Sequence, residues 1–182
     1  MAVPDSLQSK LNNNEGIIMD GGTGTEIVRR GVPLCPTTWS ARAILTHPDV
    51  IRQIHEESIQ AGAEVIITNT FSTDRSTLEA GGLADQTVEI NRLAVKLAQE
   101  ARNNVPSVKP VVIAGSMSTF VPKLDPSVSA SFETVLAAYR EQAHTLADAG
   151  VDILIPEILV RTRDAKAAVK ASSETGLPIW VG

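Results

Sequence analysis

The stretch Ala61–Ile67, "AGAEVII", decides the fold, because Ala149–Ile155, "AGVDILI", repeats its plan. In each stretch a segment with helical spacing ends at Ala-Gly, one acidic residue follows, and an aliphatic run begins. A run that is apolar without alternation is typical of a strand buried on both faces of a parallel sheet. The two stretches therefore predict one strand-entry unit that is used repeatedly in an α/β fold.

Three further runs have the same character. The five predicted strands are Gly16–Met19, Val65–Thr68, Val111–Ala114, Val151–Ile155 and Pro178–Val181. Helical spacing between them fits either an open doubly wound sheet or a (β/α)8 barrel, which has eight strands in typically about 250 residues. Because the sequence ends at Gly182 beside the apolar run "LPIWVG", we expect it to be a piece of a longer barrel.

Composition argues against several classes of partner. The 182 residues are 43% hydrophobic and 20% charged, as in ordinary globular domains. A net charge of −5 without a basic cluster argues against nucleic acid and anionic membrane surfaces. The sequence shows no membrane-spanning run and no secretory signal at its polar N-terminus. Cys35 is the only cysteine, so no internal disulfide can form, and we expect a cytoplasmic protein.

Polar residues gather where the predicted strands end. Because the carboxyl ends of parallel strands meet at one edge of an α/β fold, ligands bind there. Ser116 follows the third strand. The candidate binding residues at the other exits are Asp20 and Gly21, Thr68, Asn69 and Thr70, and Glu157.

Asp20 and Glu157 give this edge two carboxylates. Such a pair could hold a substrate ammonium group, act as an acid and base, or bind a hard metal ion. Each could also be a plain cap of a turn or helix. We favour a functional role, because both acids are expected on one face with a Thr-Asn-Thr segment between them.

Other residues in the sequence carry weaker signals. The glycines after Asp20 do not have the spacing of a phosphate-binding loop, so we interpret them as allowing close backbone approach to a ligand. His55 has apolar neighbours at helical spacing, which favours a packing role over a functional one. Cys35 lacks an adjacent base and is a poor candidate nucleophile. Trp39 fits equally the wall of a small-ligand pocket or a space-filling residue under its loop.

Several blocks occur together in this order: "MDGGTGTEIVRRG", "WSARAIL", "HPDVIRQIHEESIQAGAEVIITNTF", "VVIAGSM" and "AGVDILIPEI". With them the chain resembles the N-terminal part of the homocysteine S-methyltransferase family, from about Gly16 to Gly182. The resemblance implies a TIM-type (β/α)8 barrel with about five of its strands present. It also implies transfer of a methyl group from a donor to the thiol of homocysteine, giving methionine. Residues 1–15 are then an N-terminal segment and residues 16–182 a partial homocysteine-binding barrel domain.

The resemblance also implies roles for individual residues. Asp20 and Glu157 match the acids that hold the amino-acid end of homocysteine, and Thr68–Thr70 match the second-strand segment beside it. The family activates the thiol with zinc bound by three cysteines from later strands, and Cys35 matches none of them. We therefore expect the chain of residues 1–182 to hold no zinc and to be inactive in methyl transfer on its own.

Two rival interpretations remain open. The chain could be a non-catalytic partial barrel that acts by self-association or with a partner chain, because uncovered strand edges favour association. A homo-oligomer is possible under this interpretation. Alternatively, it could be an unrelated α/β binding domain in which Asp20 and Glu157 are only caps.

Overall fold

The computed structural model describes residues 4–106, 109–119 and 130–182. Within these residues the chain forms eight α-helices and three strands. The strands are β1 (Val65–Ile67), β2 (Val112–Met117) and β3 (Ile153–Pro156). The helices are α1 (Asp5–Asn12), α2 (Thr23–Arg29), α3 (Ala41–Thr46), α4 (Pro48–Gln60), α5 (Arg75–Ala80), α6 (Thr87–Asn104), α7 (Phe132–Ala149) and α8 (Thr162–Ser173).

The three strands form one parallel sheet in chain order, β1-β2-β3. Ile66 pairs with Ile113, and Gly115 pairs with Leu154. Helices connect the strands, as parallel pairing requires. The predicted alternation of buried strands and helices is therefore confirmed for these three strands.

The two outer predicted strands are reduced to single bridges, so the count of five strands is not confirmed. Met19 bridges Val65 on one side of the sheet, and Ile179 bridges Leu154 on the other, both in parallel orientation. The expectation that the first run is buried was wrong, since Ile18 is 56% exposed. Each outer run has a neighbour on one side only, so half of its pairing capacity and much of its surface stay uncovered among the described residues.

Side chains of the sheet alternate between two apolar clusters. Ile66, Ile113 and Leu154 point to the outer side, where they pack with the buried faces of α6, α7 and α8. Val65 and Ile153 point to the inner side of the sheet and belong to a second cluster, the inner cluster. Its other members are Leu7, Val112, Ala114 and Ile155, and Ile17, Ile67 and Trp180 pack against it. The sheet is thus covered on both faces, which accounts for its unbroken apolar strands.

Helix boundaries agree with the turn chemistry of the sequence. Pro48 occupies the first turn of α4, where its missing N–H costs no hydrogen bond. Gly150 ends α7 with a φ of 94°, a left-handed conformation that glycine adopts without strain. In the described part of the chain, no helix is long and apolar enough to cross a membrane.

A buried ion pair fastens α1 to the sheet. Glu64 is 3% exposed immediately before β1, and Lys10 Nζ lies 2.7 Å from its Oε2. The Ile18 N–H donates to the same oxygen at 3.3 Å, while Leu7 of α1 is 1% exposed in the inner cluster. Helix α1 therefore packs on the same core as the strands, and the boundary at residue 16 stays a prediction.

We expect Glu64→Gln to lower the melting temperature at pH 7 by about 3–8 °C, because the ion pair with Lys10 is lost and the ammonium group is left with a neutral amide acceptor. The hydrogen bond from Lys10 lowers the pKa of the Glu64 carboxyl. A lowered folded-state pKa gives stability that is present above the unfolded pKa and lost as the pH falls through the folded pKa. The difference between wild type and variant should therefore shrink in acid.

Melting curves from pH 7 down to pH 3, followed by circular dichroism, measure this difference. Glu15→Gln is the matched control, because it removes the same charge from an exposed residue. A difference between wild type and Glu64→Gln that is zero at pH 7, or constant over the whole range, would contradict the role of this ion pair.

Candidate functional site

A cavity of about 370 Å³ lies at the carboxyl ends of the strands. Its lining consists of Asp20–Thr25, Trp39–Ser40, Ile67–Asn69, Phe71, Ser116 and Glu157–Ile158. Five of the six candidate residues, Asp20, Gly21, Thr68, Asn69 and Glu157, are thus brought together. The remaining candidate lies underneath, as described below.

Asp20 and Glu157 are the only charged residues in this lining, within the part of the chain that the structure describes. Both are acidic, and no lysine or arginine lines the cavity beside them. The field in the cavity is therefore negative and favours a cationic group on a ligand. Hydroxyl and aromatic groups make up much of the rest of the wall, which suits a small polar molecule with an apolar part.

The carboxylate of Asp20 extends the hydrogen bonding of the β1 edge. Its backbone N–H donates to the Val65 carbonyl at 3.0 Å, and its Oδ2 accepts from the Ile67 N–H at 3.0 Å. Its Oδ1 is buried without a hydrogen-bond partner among the described residues. One oxygen of this carboxylate thus belongs to the sheet, and the other keeps its full capacity to accept a hydrogen bond.

Glu157 is held by the end of the neighbouring strand. Its N–H donates to the Met117 carbonyl at 2.8 Å, and its Oε1 accepts from Ser116 Oγ at 2.6 Å. Ser116 was predicted to follow its strand but lies inside β2 and lines the cavity. The serine hydroxyl therefore fixes one carboxylate oxygen of Glu157 at the cavity wall.

Thr68 and Thr70 join the ends of β1 and β2 in a closed set of hydrogen bonds. Thr70 Oγ1 donates to the Ser116 carbonyl at 2.7 Å, so the 2.7 Å contact between the two threonine hydroxyls has Thr68 as donor. The Ser116 N–H then donates to Thr68 Oγ1 at 3.3 Å. Thr70 is fully buried and outside the cavity lining. The structure therefore places Thr70 as a support beneath the cavity, and its contact with a ligand stays a prediction.

The side-chain amide of Asn69 is hydrogen-bonded to the loop that carries Trp39. Ser40 Oγ donates to Asn69 Oδ1 at 2.7 Å, and Asn69 Nδ2 donates to the Ser40 carbonyl at 3.1 Å. Trp39 next to Ser40 has a φ of 52° and is 56% exposed in the cavity wall. Of the two interpretations of Trp39, the structure supports the pocket wall, and Asn69 acts on the cavity by fixing that wall.

Among the glycines after Asp20, Gly24 allows another group, the indole of Trp39, to lie close to the backbone. A Cβ added to Gly24 would lie 2.8 Å from Trp39 Nε1, which is closer than van der Waals contact allows. A Cβ on Gly21 would meet nothing within 4 Å. Gly21, Gly22 and Gly24 all lack a positive φ, so the indole of Trp39 and not a strained turn accounts for a glycine here.

His55 is closer to the cavity than its sequence pattern indicates. It belongs to α4 and is fully buried, but its Nδ1 lies 3.8 Å from Asp20 Oδ2. The apolar spacing of α4 hides this contact, because His55 shares one helix face with Ile51 and Ile59. A packing role alone therefore does not describe this residue.

Cys35 sits outside the cavity lining. Hydrogen bonding by the side chain of Thr37, whose Oγ1 is 3.2 Å from the sulfur, and then by Thr38 lowers the pKa of the Cys35 thiol to about 6. In the described residues, His, Cys, Asp and Glu side chains form no group of three that could hold a metal ion. The donor set does not fit the zinc site that the resemblance implies, since catalytic zinc takes three protein ligands.

Sequence reasoning missed six residues of the cavity wall: Thr23, Thr25, Ser40, Ile67, Phe71 and Ile158. Phe71 and Ile158 directly follow candidate residues, so a longer window after each strand would have included them. Ser40 lies in a loop after α2, where hydrophobic periodicity gives no signal. Its role depends on pairing with Asn69 at a distance of 29 residues in sequence.

Comparison with solved structures supports the fold. The crystal structure of the homocysteine methyltransferase MmuM from Escherichia coli, in its metallated form, matches with a TM-score of 0.83 and 28% sequence identity. The match covers 94% of this chain and 64% of that one. This likeness confirms a fold of the TIM-barrel family, here with a partial parallel sheet.

Sequence comparison agrees with the structural likeness. The chain is 29% identical to selenocysteine methyltransferase from Astragalus bisulcatus, over 90% of this chain and 56% of that protein. It is 28% identical to homocysteine S-methyltransferase from Escherichia coli strain K12, over 92% of this chain and 57% of that protein. It thus spans a little over half the length of these two relatives. The family described as Homocysteine S-methyltransferase matches residues 17–182, and the chain therefore belongs to the homocysteine S-methyltransferase family.

Proposed function

We propose that this chain binds homocysteine by its ammonium group, between Asp20 and Glu157, as the methyl acceptor of a homocysteine S-methyltransferase reaction. One observation carries the proposal. Asp20 has a buried carboxylate oxygen without a hydrogen-bond partner in the described structure, beside a cavity whose only charged lining residues are Asp20 and Glu157. An alkylammonium group supplies the three donors and the positive charge that such a pair lacks.

The remaining candidate residues support this binding in different ways. Gly21 leaves open space beside Asp20, because a side chain there would meet nothing within 4 Å. Thr68 lines the cavity and bonds to Thr70, which lies beneath it. Asn69 fixes the wall through Ser40. We infer that Asp20 and Glu157 bind the ligand directly and that the others shape and stiffen the cavity around it.

In the proposed reaction the methyl carbon leaves its donor and forms a bond to the homocysteine sulfur, while the thiol gives up its proton. The product is methionine. A thiolate is the effective nucleophile, so the thiol must be activated. Zinc supplies this activation in the family that the chain resembles, but the residues described here do not fit a zinc site. We therefore assign acceptor binding to this chain and propose that it does not turn over alone.

Titration calorimetry with homocysteine tests the proposed binding. We expect Asp20→Asn and Glu157→Gln each to weaken binding by about 10- to 100-fold, because each removes a charge from the ammonium site while keeping the side-chain shape. The analogue of homocysteine that lacks the amino group is 4-mercaptobutanoate. Its affinity for the wild type should be no higher than the affinity of the weaker variant for homocysteine.

The control for this titration is Asp148→Asn, which removes one charge from the exposed surface of α7 and should leave the affinity unchanged. Equal binding of homocysteine and 4-mercaptobutanoate would contradict ammonium recognition. Unchanged affinity in both Asp20→Asn and Glu157→Gln would show that the two acids are only caps.

Zinc content and methionine formation test the second half of the proposal. After purification and exposure to zinc, the chain should keep less than one tightly bound ion, and it should form no methionine from homocysteine and S-methylmethionine. Cys35→Ser should behave in the same way, since a single thiol is too few ligands for a zinc site. One retained zinc ion together with turnover would overturn this part.

A second candidate function is a non-catalytic protein that self-associates. Exposed apolar side chains at both outer positions of the sheet favour it: Ile18 is 56% exposed, Met19 39% and Val181 58%. Two measurements on the same sample distinguish this alternative from acceptor binding. Self-association requires a dimer whose amount rises with concentration in sedimentation, and it requires no affinity for homocysteine. A location in the cytoplasm stays a prediction from the sequence.

A further inference from the structure

Two neighbouring side chains at the cavity carry three buried polar atoms without hydrogen-bond partners among the residues that the structure describes. They are Oδ1 of Asp20 and both ring nitrogens of His55. The Asp20 side chain is 1% exposed and that of His55 is 0% exposed, with Nδ1 3.8 Å from Oδ2. Buried polar groups nearly always have partners, because leaving one unsatisfied is unfavourable. The pair therefore marks a position where hydrogen bonding is incomplete.

Three other polar side chains of the cavity lining have hydrogen-bond partners. Ser40 bonds to Asn69, Thr68 bonds to Thr70, and Ser116 bonds to Glu157. The unsatisfied capacity is thus concentrated at Asp20 and His55 and not spread over the cavity. This contrast indicates that the missing partners of Asp20 and His55 do not result from poor hydrogen bonding throughout the site.

The two oxygens of Asp20 have different surroundings. Oδ2 accepts from the Ile67 N–H at 3.0 Å and is the oxygen beside His55. Oδ1 has no protein donor in the described residues. A second donor on Oδ2 would fix the plane of the carboxylate and, with it, the direction of Oδ1. Shortening the Nδ1–Oδ2 distance to a hydrogen bond of about 2.9 Å requires a shift of only about 1 Å.

We propose that His55 is a positioning residue for Asp20: its Nδ1–H donates to Asp20 Oδ2 when an ammonium group occupies the cavity, and so holds Oδ1 toward that group. The inference rests on the proposed function. It requires the neutral Nδ1–H form of the imidazole. A neutral donor leaves the negative charge of Asp20 available to the ligand, whereas a second cation at this point would compete with the ammonium group.

Packing does not require a histidine at this position. The other buried side chains on α4 are Ile51, Ile54 and Ile59, and an aliphatic residue would fill the same interior without unpaired nitrogens. The polar ring therefore has a role that its aliphatic neighbours do not supply, and Asp20 is the acidic group that the structure places against it.

The test compares two substitutions by titration with homocysteine. His55→Leu removes the donor, and we expect binding to weaken about tenfold, as for loss of a hydrogen bond to a charged group. His55→Asn keeps an N–H donor the same number of bonds from the backbone as Nδ1, so its affinity should stay within about threefold of wild type. His144→Leu, on the exposed surface of α7, is the matched control and should bind as wild type does.

A double variant separates positioning from general damage to the fold. If His55 acts through Asp20, His55→Leu should have no further effect on affinity in an Asp20→Asn background. Nitrogen NMR of the wild type with bound homocysteine gives an independent reading that needs no substitution at position 55. It should show the His55 proton on Nδ1.

The outcomes distinguish this inference from the function on which it rests. If wild type does not bind homocysteine, the proposed function and this inference both fail. If wild type binds and Asp20→Asn weakens binding, but His55→Leu binds like wild type or weakens the Asp20→Asn background equally, only the inference is overturned. A proton found on Nε2 in the complex overturns it as well.

Discussion

The hydrogen bond from the Ile67 N–H to Asp20 Oδ2 is the interaction on which the candidate site depends. It makes the carboxylate a continuation of the β1 edge, so the position of the acid is set by the sheet and not by a flexible loop. Because Oδ2 is used in this way, Oδ1 is left as a buried acceptor without a partner in the described structure. Leaving a buried, negatively charged acceptor without a partner is unfavourable, so a positively charged donor that reaches this oxygen gains a strong interaction.

The opposite side of the cavity is held in the same way by the other strands. Hydrogen bonds run from Thr70 to Ser116 and from Ser116 to Glu157, so the ends of β1, β2 and β3 are joined just below the cavity floor. The distance between the two acids is then set by the spacing of the strands. This is the general advantage of the carboxyl edge of a parallel sheet, where rigid elements hold the binding groups of several chain segments together.

Much of the fold and part of the site can be predicted from the sequence. Buried aliphatic runs predict β1, β2 and β3, and strand exits predict Asp20 and Glu157 as neighbours, because both features depend on local pattern and on a general rule of α/β folds. The reduction of the two outer predicted strands to single bridges at Met19 and Ile179 could not be predicted, since it depends on which neighbours pair with them in the folded chain. The sequence favoured a packing role for His55 because its spacing is that of a core residue, and only the folded chain places it against Asp20.

Membership of the homocysteine S-methyltransferase family and the negative cavity lead to one central claim, that the chain recognises its ligand by an ammonium group. A crystal structure of the chain with homocysteine tests this most directly. The account predicts that the amino nitrogen lies about 3 Å from Asp20 Oδ1 and within hydrogen-bond distance of a Glu157 carboxylate oxygen. An amino group that points to solvent, or a ligand bound elsewhere on the chain, would contradict it.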